Sequence, residues 1–190
     1  MFEYLGVLIA VIMGLALTHL LRGLAKLIHM RRTAKLWWPH IVWTFSVLIY
    51  VMAIWWGMYW WNGLRDWTFQ QFLFIAAYCS VLFLQASLLY PPECPEDMDF
   101  ERHFFDNKNW FFSVALLALL LDVPETLGKS VVHLRDVPTP YIFFIPFMVT
   151  LCVLGIVSKN RVLHGVLAII WSVALVGYVV LSSMDRIAVH

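Results

Sequence analysis

Apolar stretches about as long as a bilayer is thick recur along this chain. A helix needs about 20 mostly apolar residues to cross a hydrocarbon core ~30 Å thick. Six segments meet or approach that length: roughly Tyr4 to Leu24, Pro39 to Trp61, Phe69 to Tyr90, one starting near Asn109, one starting near Thr139, and Val162 to Met184. Hydrophobic residues make up 62% of the chain and charged residues 13%, against about 45–50% and about 25% in soluble domains. A soluble protein of this size has too little interior to hide so much apolar surface. The expected fold is therefore an all-α integral membrane protein, a polytopic bundle of about six transmembrane helices. With no internal repeat or low-complexity tract, residues 1–190 form a single domain.

The fourth segment is the weakest of the six. Its uninterrupted apolar run, Trp110 to Leu121, is twelve residues long. It crosses only if the helix continues through Asp122-Val123-Pro124-Glu125 towards Val132; otherwise it is re-entrant and five spans remain. The N-terminus lacks the positive flank of a cleaved signal peptide, because Glu3 precedes the first apolar run and the basic residues follow it.

Lysine and arginine in the connecting segments set orientation. Arg22, Lys26, Arg31, Arg32, Lys35, Arg102, Lys108, Lys159 and Arg161 fall on one side, nine in all, against Arg65, Lys129, Arg135 and Arg186 on the other. The first side is expected to be cytoplasmic, which puts both termini outside and suits a bacterial inner (cytoplasmic) membrane. Eight of the ten tryptophans lie between Trp37 and Trp67, flanking the second span at both ends as interfacial belts do. Trp55 and Trp56 lie deeper and need packing or a ligand to explain them.

The first span carries Gly6, Ala10, Gly14 and Thr18, four apart and so on one helix face. Small residues at this spacing let helices approach closely in lipid. The ridge implies either a seam within the chain or a homo-oligomer formed through helix 1. The segment from about 91 to 108 is read as a cytoplasmic acidic and aromatic loop, with Glu93, Glu96, Asp97, Asp99, Glu101 and Asp106 around Phe100, Phe104 and Phe105. Asp97 or Asp99 could cap a short interfacial helix displaying Phe100 and Phe104, a docking surface for a cytoplasmic or membrane partner.

Ionisable groups inside a membrane are costly and mark function by default. His19 and Arg22 share a face at the inner end of the first span. Asp122 and Glu125 flank Pro124 near the outer end of the fourth, where a proline-broken helix could hold a proton or cation. Gln85 adds a polar group at depth. Together His19, Arg22, Asp122, Glu125 and Gln85 form a candidate polar pathway or ligand site. His19, His40 and His164 could offer axial nitrogens to a haem, but no attachment motif accompanies them, and no cofactor follows from the sequence. The three cysteines form no metal or redox spacing, and no catalytic motif is present. A net charge of +1 gives no reason to expect a nucleic-acid partner. Three functions remain: binding or passage of a small ion or solute, recruitment of a partner through residues 91–108, and redox chemistry at the histidines.

Overall fold

The computed structural model describes residues 2–95 and 97–184; Glu96 and Arg186 lie outside the described residues. Six helices follow in order: α1 (Phe2–His29), α2 (Trp38–Met58), α3 (Phe69–Ser87), α4 (Phe100–Val131), α5 (Tyr141–Val157) and α6 (Arg161–Met184), with a 3-10 turn over Tyr59–Gly63. The protein is an all-α helical bundle, and every helix but α5 is long and apolar enough to cross a membrane.

The lengths correct one expectation. The fourth segment is the longest helix, 32 residues running straight through Pro124 to Val131. The fifth, with 17 residues, is the short one, at the lower limit for a span. Pro124 is tolerated because lost backbone bonding in a membrane helix can be made up by neighbours.

Local signals fix the helix ends. Thr68 and Gln71 form a reciprocal capping box at the start of α3, satisfying two amides that the first turn leaves free. Asp99 accepts from the Arg102 amide to cap α4. Asn160 accepts from the amides of Val162 and Leu163 at the start of α6. At the far end of α4, His133 takes φ 56°, the left-handed turn that closes many helices.

Three connections gather at one end. The Lys35 amide donates to the Met98 carbonyl at 2.9 Å, and the Phe100 amide to the Lys35 carbonyl at 3.2 Å. Lys35 pairs with Asp99 at 3.5 Å, and Arg161 with Glu101 at 2.8 Å. This is the basic end of the bundle. At the other end Phe2 packs on Trp67, and Leu134 lies close to Gly63. Consecutive helices thus alternate in direction.

In packing, α1 lies against α3 and α2, α2 against α6, and α4 against α3 and α5. The interior is aliphatic near α1 and aromatic near the basic end, where Trp43 meets Phe104, Phe111, Phe112 and Trp171. Large apolar side chains such as Val7, Val11, Leu15, Phe143, Val162 and Val173 project outwards, as expected where lipid is the solvent.

Two sequence readings change here. The α1 ridge is not a seam within the chain, because a Cβ placed on Gly6 or Gly14 would have no atom within 4 Å. The close approach is made instead by Gly23, where an added Cβ would fall inside the Tyr90 ring. The acidic loop is also shorter than expected. Asp99 is the cap, as one of the two anticipated, but the helix it starts is the whole of α4. Phe100 and Phe104 are buried at 0% and 3% exposure, packed on His40, Tyr90, Trp37 and Trp43. They are not a docking surface, because their rings fill the space between α2 and α4.

Candidate functional site

Two lysines stand on α4, one more than two turns from its start and one in its last turn. Lys108 donates to the carbonyls of Gly155 (3.4 Å) and Ile156 (2.7 Å) at the end of α5. Lys129 donates to the Gly57 carbonyl at the end of α2 (2.9 Å). Each ammonium meets carbonyls of the last turn of a helix, the favoured place for a cation. The two lysines are 21 residues apart, about 31 Å of helix at ~1.5 Å per residue, which matches the ~30 Å core of a bilayer. Asp122 is seven residues inward from Lys129, so about 10 Å.

Around Asp122 the structure assembles a polar cluster from four helices and the turn after α2. Tyr78 of α3 donates to Oδ1 at 2.9 Å, and Tyr141 of α5 to Oδ2 at 2.8 Å. One turn further on, Glu125 pairs with Lys129 and accepts from the Trp61 indole at 2.9 Å. Asp122, Glu125 and Lys129 are all buried. The alternative in which α4 stops at Asp122 and both acids meet water is thereby excluded.

A cavity of about 440 Å³ opens beside this cluster, between α2, α4, α5 and α6. Its polar side is Asp122, Glu125, Thr126 and Lys129, with Arg135 from the α4–α5 connection; its apolar walls include Ile49, Tyr50, Phe144 and Tyr178. The Tyr50 hydroxyl is buried beside that of Tyr78.

The cavity exists because α5 is short. Tyr141, its first residue, reaches Asp122, while its last turn reaches Lys108. The helix therefore covers α4 from Lys108 to Asp122 and leaves the last two turns uncovered. A second cavity of about 560 Å³ lies against Leu17, Met52, Trp55, Trp56, Tyr59 and Trp60. Trp56 is 71% exposed, so it reaches away from the bundle rather than into its core.

The other anticipated site residues do not join this cluster. His19 donates from Nε2 to the Tyr90 carbonyl at 3.1 Å, and Arg22 is exposed. Tyr90 packs on Phe100, 22 residues and about 33 Å along α4 from Asp122. Gln85 is buried with its Oε1 unpaired among the described residues, two turns from Tyr78 towards the basic end. No single pathway therefore connects the five residues, because α1 packs on α2 and α3 and the aromatic interior fills the basic end of the bundle.

The histidines are also apart. His19 and His40 pack on Tyr90, whereas His164 bonds the Ser158 carbonyl and lies among Phe104, Phe105 and Phe112. Among the described residues no group of three or more His, Cys, Asp or Glu side chains is placed to hold a metal ion. Neither cavity described above is lined by any of the three histidines.

Sequence reasoning found Asp122 and Glu125 and missed Lys129, Tyr78, Tyr141, Trp61 and Tyr50. Lys129 had a signal, since it lies four residues after Glu125, the spacing of a helical ion pair. The tyrosines come from other helices and had none. Neither a family model, nor a curated protein, nor a solved structure matches this chain.

Proposed function

We propose that this chain is a membrane-embedded binding protein for a small solute, with its site in the cavity beside Asp122. The observation that carries the reading is a buried carboxylate, bonded by two phenols, at the edge of a 440 Å³ space in the bundle. Charge at depth is expensive and persists where it serves a function. A purely structural role would call for closer packing than a cavity of this size, since protein interiors are filled to crystal-like density.

By the lysine and arginine bias, the site faces the outer side of a cytoplasmic membrane. Binding is better supported than passage. The way to His19 and Arg22 runs through Trp43, Phe111, Phe112 and Trp171, all buried, so a solute could cross only after rearrangement. The partner-recruiting alternative retains exposed Glu93 and Asp97. It has lost Phe100 and Phe104, while Asp99 and Glu101 are paired within the chain.

Purification in mild detergent followed by mass spectrometry of bound small molecules tests the reading. A bound species should co-purify with the native chain and be lost from Ala53→Phe, which fills the cavity from α2 without touching a charged group. Equal recovery from both proteins, or an empty native protein that gains no stability from any solute in a thermal-shift screen, would refute it.

A further inference from the structure

We propose that the cavity's ligand is an organic monocation, an amine or quaternary ammonium head on an apolar body. This deepens the binding reading and rests on it. Four charged residues line the space: Asp122, Glu125, Lys129 and Arg135. Lys129 is committed to Glu125 and to the Gly57 carbonyl, so that pair is neutral. Asp122 is left with neutral donors only, the phenols of Tyr78 and Tyr141. With Asp122 ionised, the buried trio Asp122, Glu125 and Lys129 therefore carries one uncompensated negative charge.

Arg135 does not cancel it. It belongs to the segment beyond α4, half-buried at the cavity's edge, with its guanidinium over the Trp60 ring at 5.8 Å. Charges near the aqueous boundary are screened far more than buried ones.

The walls suit the same ligand. Tyr50, Phe144 and Tyr178 line the cavity, and aromatic faces attract cations through their quadrupole. The Tyr50 hydroxyl, which lies beside that of Tyr78, has lone pairs to offer an ammonium N–H. A bare metal ion fits poorly, because hard cations want six or more oxygen ligands, and both Asp122 oxygens are already bonded in a mostly apolar space. An anion would meet the carboxylate in a low-dielectric setting.

The test uses two fluorescent probes on the purified chain in phosphatidylglycerol nanodiscs, which contain no amine. One is a dansyl-alkyl-trimethylammonium, and the other is its uncharged tert-butyl isostere. The cation should bind at least tenfold more tightly. Asp122→Asn should remove that preference while leaving the neutral probe's affinity in place. Arg135→Gln should leave the preference intact or increase it, and this variant decides the matter if Asp122→Asn does not fold.

Repeating the titration in phosphatidylethanolamine discs separates two sources of the amine. A tenfold weaker affinity of the uncharged probe, which the surface charge of the lipid does not bias, identifies the lipid headgroup as occupant, and an unchanged affinity identifies a free amine. Equal binding of both probes would overturn this inference while sparing the cavity as a ligand site. Failure of both probes to bind, with no difference from Ala53→Phe, would overturn the binding reading as well.

Discussion

Lys129→Met tests whether the charge cluster is truly dry. The native ammonium is 5% exposed and its partner carboxylate 4%. Methionine nearly matches the length of lysine, so little volume is lost. The change leaves Glu125 charged with only the Trp61 indole, and it takes one donor away from the Gly57 carbonyl. Removing one partner of a buried pair costs about 3–5 kcal/mol, because the remaining charge stays buried. The double variant Lys129→Met/Glu125→Met removes both charges. What it leaves is an unpaired indole, at about 1–3 kcal/mol, because the Gly57 carbonyl keeps its backbone N–H partner at the end of α2. It should therefore cost less than the single substitution. Equilibrium unfolding in mixed micelles, followed by far-ultraviolet circular dichroism, reads both. A single variant within 0.5 kcal/mol of the native protein, or a double variant worse than the single, would refute the reasoning. The first result would mean that water reaches the pair.

Gly23→Ala puts a methyl group into the Tyr90 ring, whose hydroxyl is tied to Thr44 at 2.9 Å; it should cost roughly 1–3 kcal/mol in the same unfolding assay, as overpacking does. Gly14→Leu should leave unfolding unchanged, and a shift of native mass to monomer would identify the ridge as a subunit contact. Asp99→Ala should cost about 1 kcal/mol and Asp99→Asn a few tenths, the usual scale for an N-cap. The Arg102 amide holds the Asp99 carboxyl below the usual carboxylate range. Its contribution is thus fully present above pH ~4 and lost as pH falls through the lower folded value, so Asp99→Asn should flatten the acid limb of stability against pH. Lys108→Met should speed hydrogen exchange in the last turn of α5, where two carbonyls lose their donor, and leave the middle of α4 unchanged.

The helices were legible because apolar length is a one-dimensional property. Even the continuation of α4 through Asp122 and Pro124 followed once spanning was required of it. The identity of the short helix was not legible. The apolar run from Tyr141 to Val157 looks as good as any other, and only contact with Asp122 at one end and Lys108 at the other reveals how little of α4 it covers. The same holds for the glycines. Gly6 and Gly14 have the repeating spacing, yet Gly23 has the neighbour, because spacing describes one helix face and not what lies opposite. His19 and Arg22 were grouped with the acids by residue type alone. Which helix faces which decides that grouping, and α1 turns its inner face to α2 and α3.

The short α5 and the buried charges are parts of one arrangement. A fifth helix as long as α4 would run past Glu125 and Lys129 and seal them behind apolar side chains. The helix instead begins at Tyr141, whose hydroxyl meets Asp122 at the level where the cover stops. Above that level the chain crosses as the α4–α5 connection and brings Arg135 to the edge of the gap. The buried carboxylates thus lie where the wall is missing on one side and where neighbours supply the donors: Tyr78 from α3, Tyr141 from α5, Trp61 from the turn after α2, and Lys129 from α4 itself. Each acid is bonded firmly enough to persist in the membrane, while Asp122 receives no full positive charge from the protein. A fold that merely tolerated these residues would have matched every carboxylate with a cation, as it does for Glu125. Asp122, beside the cavity, is the exception: its two partners are the neutral phenols of Tyr78 and Tyr141.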